Sequence, residues 1–249
     1  MRTTPWALLA ATVALAAACG GSSARDDTPS VGAPTPTTTT ATDPATASTA
    51  PASGTYLVAR ADGPVPVSPA PAAEPTHELS ATTGFGSPRA LLVLDRKGHW
   101  LKVALPERPN GSHGWIRSDD VELREIDEHV DIDLAAKTLT LVDAGTTVLT
   151  TPIAIGAPDA PTPTGSFYVV DKLDTGDPDG AYGLFAFGLS AHSNVITDFA
   201  GGDGQVGIHG TNDPSSIGQA VSHGCIRVPN EVAQVLEERL HLGTPVTIG

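Results

Sequence analysis

Residues 208–227 decide the reading of this chain: Ile208-His209-Gly210-Thr211 and, after a short connection, Ser222-His223-Gly224-Cys225-Ile226-Arg227. A cysteine attacks carbonyl carbon as its thiolate, so a useful one needs a neighbour able to take its proton. Two histidines lie within reach in sequence, His209 and His223. Gly224, directly before the thiol, lets the backbone turn sharply, so that the amides of Gly224 and Cys225 converge on a developing oxyanion. Nucleophile, base and oxyanion donors are all at hand, and acyl transfer through a thioester is the chemistry they suit.

The chain has two cysteines, Cys19 and Cys225. If Cys19 carries a lipid, Cys225 has no disulfide partner, and an unpaired thiol in an exported protein invites a chemical reason. Zinc held by His209, His223 and Cys225 is the competing reason. Against it, the sequence has neither a Cys-x-x-Cys pair nor a His-Glu-x-x-His helix, so no metal and no cofactor are expected.

The pattern resembles the L,D-transpeptidases with a YkuD-type catalytic domain, in which an upstream His-Gly precedes a [Ser/Thr]-His-Gly-Cys block. The resemblance covers roughly the C-terminal 120 residues and rests on several typed positions in one order. It implies Cys225 as nucleophile, His209 as proton donor and acceptor, the Gly210 carbonyl as the group that orients His209, and His223 and Gly224 as site-shaping and oxyanion-hole residues. Sequence spacing alone does not rank the two histidines. Arg227 stands where one branch of the family has Asn and another Arg, and with Ser222 it is a candidate substrate contact. The implied substrate is a peptidoglycan stem tetrapeptide, joined in 3→3 cross-links, with carbapenems as expected acylating inhibitors. An L,D-carboxypeptidase or amidase using the same thioester is the alternative, and a non-catalytic wall-binding lipoprotein is a further one.

Upstream, Arg2 and the apolar run from Trp6 to Ala18 read as an export signal over residues 1–18, too short to span a bilayer. Leu15-Ala16-Ala17-Ala18-Cys19-Gly20 resembles a bacterial lipobox, implying cleavage before Cys19, lipidation of its sulfur and a membrane-anchored protein facing the periplasm or cell wall. An ordinary secretory signal with a chance cysteine is the plainer alternative. Residues 19–53 are rich in Thr, Pro, Ala and Ser with almost no large apolar side chains, the composition of a linker that cannot offset the entropy of ordering.

The expected fold is mainly β: a small SH3-like β-barrel over residues 54–126, then a YkuD-type β-sandwich catalytic domain over residues 128–249 with one C-terminal helix. Short β-type stretches at residues 56–58, 91–94, 100–103 and 115–116 are separated by turn residues, a spacing that suits a compact barrel. Its Trp100 and Trp115 are expected to fill the core, or alternatively to offer an aromatic binding surface. Beyond it, alternating segments at 130–134, 138–142 and 147–155, with further strands at 166–170, 185–190 and 206–209, predict antiparallel sheets. A turn of helix is expected over 215–219, and Asn230 is expected to cap a helix ending near Gly243, followed by a strand at 245–248.

Other features fit function less well. Asp171, Asp174, Asp177 and Asp179 do not match a calcium-loop spacing, and His192, His113 and His241 lack partners in sequence. A net charge of -14, from 28 acidic against 14 basic residues, argues against nucleic acid as a partner.

Overall fold

A computed structural model describes residues 54–198 and 202–249. The export signal, the linker and Cys19 lie outside the described residues.

The first half is built from strands β1 (Tyr56–Arg60), β2 (Val65–Val67), β3 (His77–Leu79), β4 (Ala90–Lys97), β5 (Trp100–Ala104), β6 (His113–Arg117) and β7 (Glu122–Ile126). Five of them form an antiparallel sheet in the order β6-β5-β4-β1-β7, and β2 pairs with β3 as a hairpin. Two backbone hydrogen bonds between Ser68 and Trp115, of 2.9 and 2.8 Å, tie that hairpin to β6 and wrap the sheet over its apolar face. Leu91, Leu101, Val103 and Ile116 fill the interior. Neither tryptophan does so. Trp100 and Trp115 are only partly buried, and Arg117 lies over the Trp100 ring at 5.6 Å. Leucine, valine and isoleucine side chains of β4, β5 and β6 make up that core instead.

The second half contains β8 (Glu128–Asp133), β9 (Thr138–Asp143), β10 (Thr146–Pro152), β11 (Ile155–Gly156), β12 (Gly165–Asp174), β13 (Phe185–His192), β14 (Gln205–His209), β15 (Ala220–Ser222), β16 (Ile226–Arg227), α1 (Asn230–Arg239) and β17 (Pro245–Ile248). Eight of these strands form one sheet in the order β10-β9-β8-β17-β12-β13-β14-β16, and β11 pairs separately with β15. The molecule is mainly β with α1 as the one α-helix among the described residues. The antiparallel expectation is met for β8, β9 and β10, but β8–β17, β14–β16 and β11–β15 are parallel. Parallel neighbours require a crossover, and α1 supplies the one that carries the chain from the sheet edge at β16 back to its middle at β17. Its Ala233 and Leu236 enter the main core with Leu139, Val169, Ile208 and Ile226.

The predicted segment 147–155 is broken at Ile153, where the chain leaves β10 for β11. The predicted helical turn at 215–219 is only a single 3-10 turn, Pro214–Ser216.

Strand β12 joins the two halves. Its residues from Phe167 to Asp171 are all buried, because both faces are covered. Phe167 and Val169 point into the main core, while Tyr168 and Val170 point the other way, into the core of the first half. The alternation of a β-strand is thus read out as membership of two different cores. The Tyr168 hydroxyl donates to the Ala104 carbonyl at 3.2 Å, which satisfies its one polar atom within that burial.

Candidate functional site

His209 closes β14 and Cys225 lies one residue before β16. The parallel register sets Ile208 beside Ile226 and His209 beside Arg227. Ile208 and Ile226 are fully buried in the core. By strand alternation, the side chains at 209, 225 and 227 fall on the opposite face, and all three line one cavity of about 290 Å³ together with Tyr182, Ser222 and His223. The two halves of the motif meet because their apolar neighbours pair.

His209 is buried, 5% exposed. Its Nδ1 lies 2.6 Å from the Gly210 carbonyl oxygen, a bond in which the ring nitrogen donates and which leaves Nε2 as the acceptor nitrogen. Burial pushes its pKa down to about 4, against the Gly210 hydrogen bond, with the Arg227 charge lowering it further. The ring is therefore neutral at neutral pH. Tyr182 packs against it, ring centroids 4.8 Å apart at 59°.

Cys225 is a free, partly buried thiol. Burial raises its pKa, while a hydrogen bond from the Gly207 backbone and the Arg227 charge act in the opposite direction. Those two contacts are where a thiolate would be held once formed.

The turn that presents the thiol is fastened at three points. Gly224 has φ of 115°, a conformation that L side chains rarely adopt, so glycine is needed there for the backbone and not for space. Ser222 Oγ donates to the Cys225 carbonyl at 2.5 Å and accepts the Gly224 amide at 3.1 Å. Thr162 Oγ1 donates to the Gly224 carbonyl at 2.9 Å and accepts the Gly156 amide at 2.8 Å. The hydroxyl of Ser222 and the amide of Gly224 are thus both engaged inside the turn. His223 is exposed at the cavity rim, whereas His209 is the buried imidazole with a fixed ring.

A second fastening holds the histidine. Asn230 Oδ1 accepts the Thr211 amide at 2.8 Å. Asn230 was expected to cap α1, but Pro229 stands at the cap position without a side-chain bond, and the asparagine side chain faces the His209-Gly210-Thr211 segment instead. A Cβ at residue 210 would come within 2.2 Å of that Oδ1, so any larger residue there would push the Asn230 side chain from its place against the segment that orients His209. Thr162 and Asn230 carry no motif. Each contributes through a partner many positions away, 62 residues for Thr162 and 19 for Asn230.

A larger groove, about 740 Å³, also reaches His209 and Cys225 and extends under the loop at Thr83 and Phe85 of the first half. His192 lies along it, buried, with Nε2 2.9 Å from Asp203, so it is a paired residue and not the isolated histidine its sequence context suggests. The four aspartates from 171 to 179 separate: Asp171 is buried, while Asp174 and Asp177 bond only neighbouring turn groups.

A buried neutral imidazole, a cysteine held beside it on the same face of two paired strands, and a glycine turn are what a cysteine acyltransferase needs. The family model of the L,D-transpeptidase catalytic domain, YkuD, matches residues 127–248. The chain is 37% identical over 133 residues to the YkuD protein of Bacillus licheniformis, covering 53% of this chain and 70% of that protein. It is 39% identical over 120 residues to YkuD of Bacillus subtilis, covering 48% of this chain and 65% of the relative. Both relatives are named for L,D-transpeptidase activity. The chain belongs to this L,D-transpeptidase family. Among solved structures, an Enterococcus faecium L,D-transpeptidase overlaps 49% of this chain and 49% of its own with a TM-score of 0.39 at 25% identity. One from Mycobacterium tuberculosis overlaps 57% and 74% with a TM-score of 0.41 at 19% identity.

Proposed function

We propose that this protein is an exported L,D-transpeptidase that links peptidoglycan stem peptides through a thioester on Cys225. The observation that carries the reading is the shared cavity of His209 and Cys225, with the imidazole tautomer set by Gly210. His209 Nε2 takes the thiol proton as the sulfur attacks the carbonyl carbon of the scissile amide. The tetrahedral oxygen is met by the Cys225 amide, and its collapse expels the leaving amine, which receives the proton from His209, and forms the thioester. An acceptor amine then attacks the thioester, loses its proton to His209, and the new amide leaves as the thiol is restored. Arg227, which lines the same cavity and whose charge favours the thiolate, contacts a carboxylate of the substrate in this reading.

The donor is a stem tetrapeptide whose terminal D-Ala is released from the L-centre of a diamino acid. The first half acts as an SH3-like module, and Cys19 carries the lipid that keeps the enzyme at the membrane facing the wall. Family membership supports the donor, the five-stranded antiparallel sheet of the first half supports the module, and the composition of residues 1–53 supports the anchor.

The test is intact-protein mass spectrometry after meropenem. One covalent adduct is expected on the wild-type chain and none on Cys225→Ala; an adduct that survives the substitution, or none at all, would contradict the assignment. Incubation with tetrapeptide and acceptor amine should give the cross-linked product with D-Ala released, whereas hydrolysed tripeptide alone would make the enzyme a carboxypeptidase.

A further inference from the structure

Two large aromatic side chains are left exposed, Phe85 at 64% and Tyr182 at 43%, and both line the large groove that also reaches His209 and Cys225. Tyr182 belongs to the catalytic half. Phe85 comes from the first half, some 140 positions before the nucleophile. In a chain with only 5 Phe, 3 Tyr and 3 Trp, an outward-facing phenyl ring on a groove is an informative exposure, because leaving it in water forfeits the favourable burial of its apolar surface.

The loop that carries Phe85 is built to stay in place. Thr83 Oγ1 donates to the buried carboxylate of Asp171, on β12, and accepts the amides of Phe85 at 3.3 Å and Ser87 at 3.1 Å. A hydroxyl has one proton and two lone pairs, so this one is saturated. Asp171 is 1% exposed, and its second oxygen accepts from Gln205 Nε2 at 3.2 Å, at the start of the strand that ends in His209. From the other side, Arg89 donates to the Ser80 and Thr82 carbonyls, both at 3.0 Å. The loop is thus fixed to the strands beneath the groove by a buried carboxylate and not merely laid over them.

We infer that Phe85 is a substrate-contacting residue: the first half forms one side of the peptide-binding groove, and its phenyl ring packs on an aliphatic part of the peptide that Cys225 acylates from. This rests on the transpeptidase reading for the identity of the peptide. The groove is continuous with the nucleophile, and Leu173, Ala186 and Phe187 of β12 and β13 line it as well, a surface that suits aliphatic stem-peptide carbons. The first half is then a specificity element of the enzyme in addition to any anchoring role.

The test uses the full chain carrying Cys225→Ala, titrated calorimetrically with the stem tetrapeptide, with and without Phe85→Ala. Phe85 is exposed, so its truncation leaves the core intact, and Leu94→Ala, at an exposed position outside the groove, serves as control. The expected result is a Kd at least tenfold weaker for Phe85→Ala and unchanged for Leu94→Ala. In chains that retain Cys225, the rate of its alkylation by iodoacetamide should be unaffected by Phe85→Ala. An unchanged Kd would overturn the inference, as would a parallel loss of alkylation rate, which would mean that the residue acts through the shape of the catalytic site. Binding of a peptide-free N-acetylhexosamine oligomer that depends on Phe85, in place of tetrapeptide binding, would also overturn it. Binding does not require turnover, so tetrapeptide affinity that depends on Phe85 in a protein that meropenem fails to acylate would sink the transpeptidase reading alone.

Discussion

At the scale of single residues, the site stores its reactivity in an uncharged form. Burial lowers His209 to about 4 and raises the Cys225 thiol, so at neutral pH the pair is imidazole and thiol, and in the proposed mechanism the proton moves only as substrate is attacked. The signs lead to a pH prediction. His209 is already a competent base above about pH 4 and loses that capacity as pH falls through this value, so the acid limb of kcat/KM should lie well below the ordinary histidine value of 6.5. Alkylation of Cys225 by iodoacetamide should stay slow near pH 7 and climb only above the ordinary thiol value of 9.0. A rate that is already on a plateau at pH 5 would reveal a preformed thiolate and imidazolium, and this account of the pair would be wrong.

At the scale of elements, His209 is held by the start of a helix. Asn230 bonds the Thr211 amide while its Oδ1 lies against Gly210, so α1, itself seated by Ala233 and Leu236, fixes the carbonyl that receives Nδ1–H. Replacing Asn230 by Ala strands a half-buried amide, at a cost of about 1–3 kcal/mol. It should also lower kcat more than it raises KM. Asn230→Asp keeps the accepting oxygen and should restore most of kcat. Steady-state kinetics of the two variants, with thermal melts to separate stability from rate, check this; equal kcat for Asn230→Ala and wild type would remove the element from the mechanism. The same scale explains the misread cap. Asparagine before a helix is a good capping residue in isolation, yet Pro229 already occupies that position and the Thr211 amide offers the asparagine a partner.

At the scale of the whole molecule, the family match begins at residue 127, but the packing does not divide there. Tyr168 and Val170 of β12 belong to the core of the first half, and Asp171 receives Thr83 from it. A chain truncated to residues 127–249 would expose both side chains and leave a buried carboxylate without its partner. It should lose cooperative melting in differential scanning calorimetry, while the chain from residue 54 melts as one unit. In the latter, Tyr168→Ala should cost about 3–5 kcal/mol, the range for emptying a large aromatic from a core. A truncated form that melts cooperatively at the same temperature would show that the halves are energetically separate.

The sequence by itself determined the family and most of the strands. His209-Gly210 and Gly224-Cys225 are recognisable as two short blocks in one order, because a thiol needs a base and a turn. Residues 130–142 alternate, so their burial was legible too, as was the strand at 245–248. Tertiary structure alone decided which strands run parallel, where Asn230 and Ser222 point, that Trp100 and Trp115 are only partly buried, and that Thr162, Asp171 and Phe85 belong to the neighbourhood of the site. The physical reason is range. Periodicity and turn chemistry are local, whereas a hydrogen bond across 88 residues, such as Thr83 to Asp171, depends on which apolar faces have already packed.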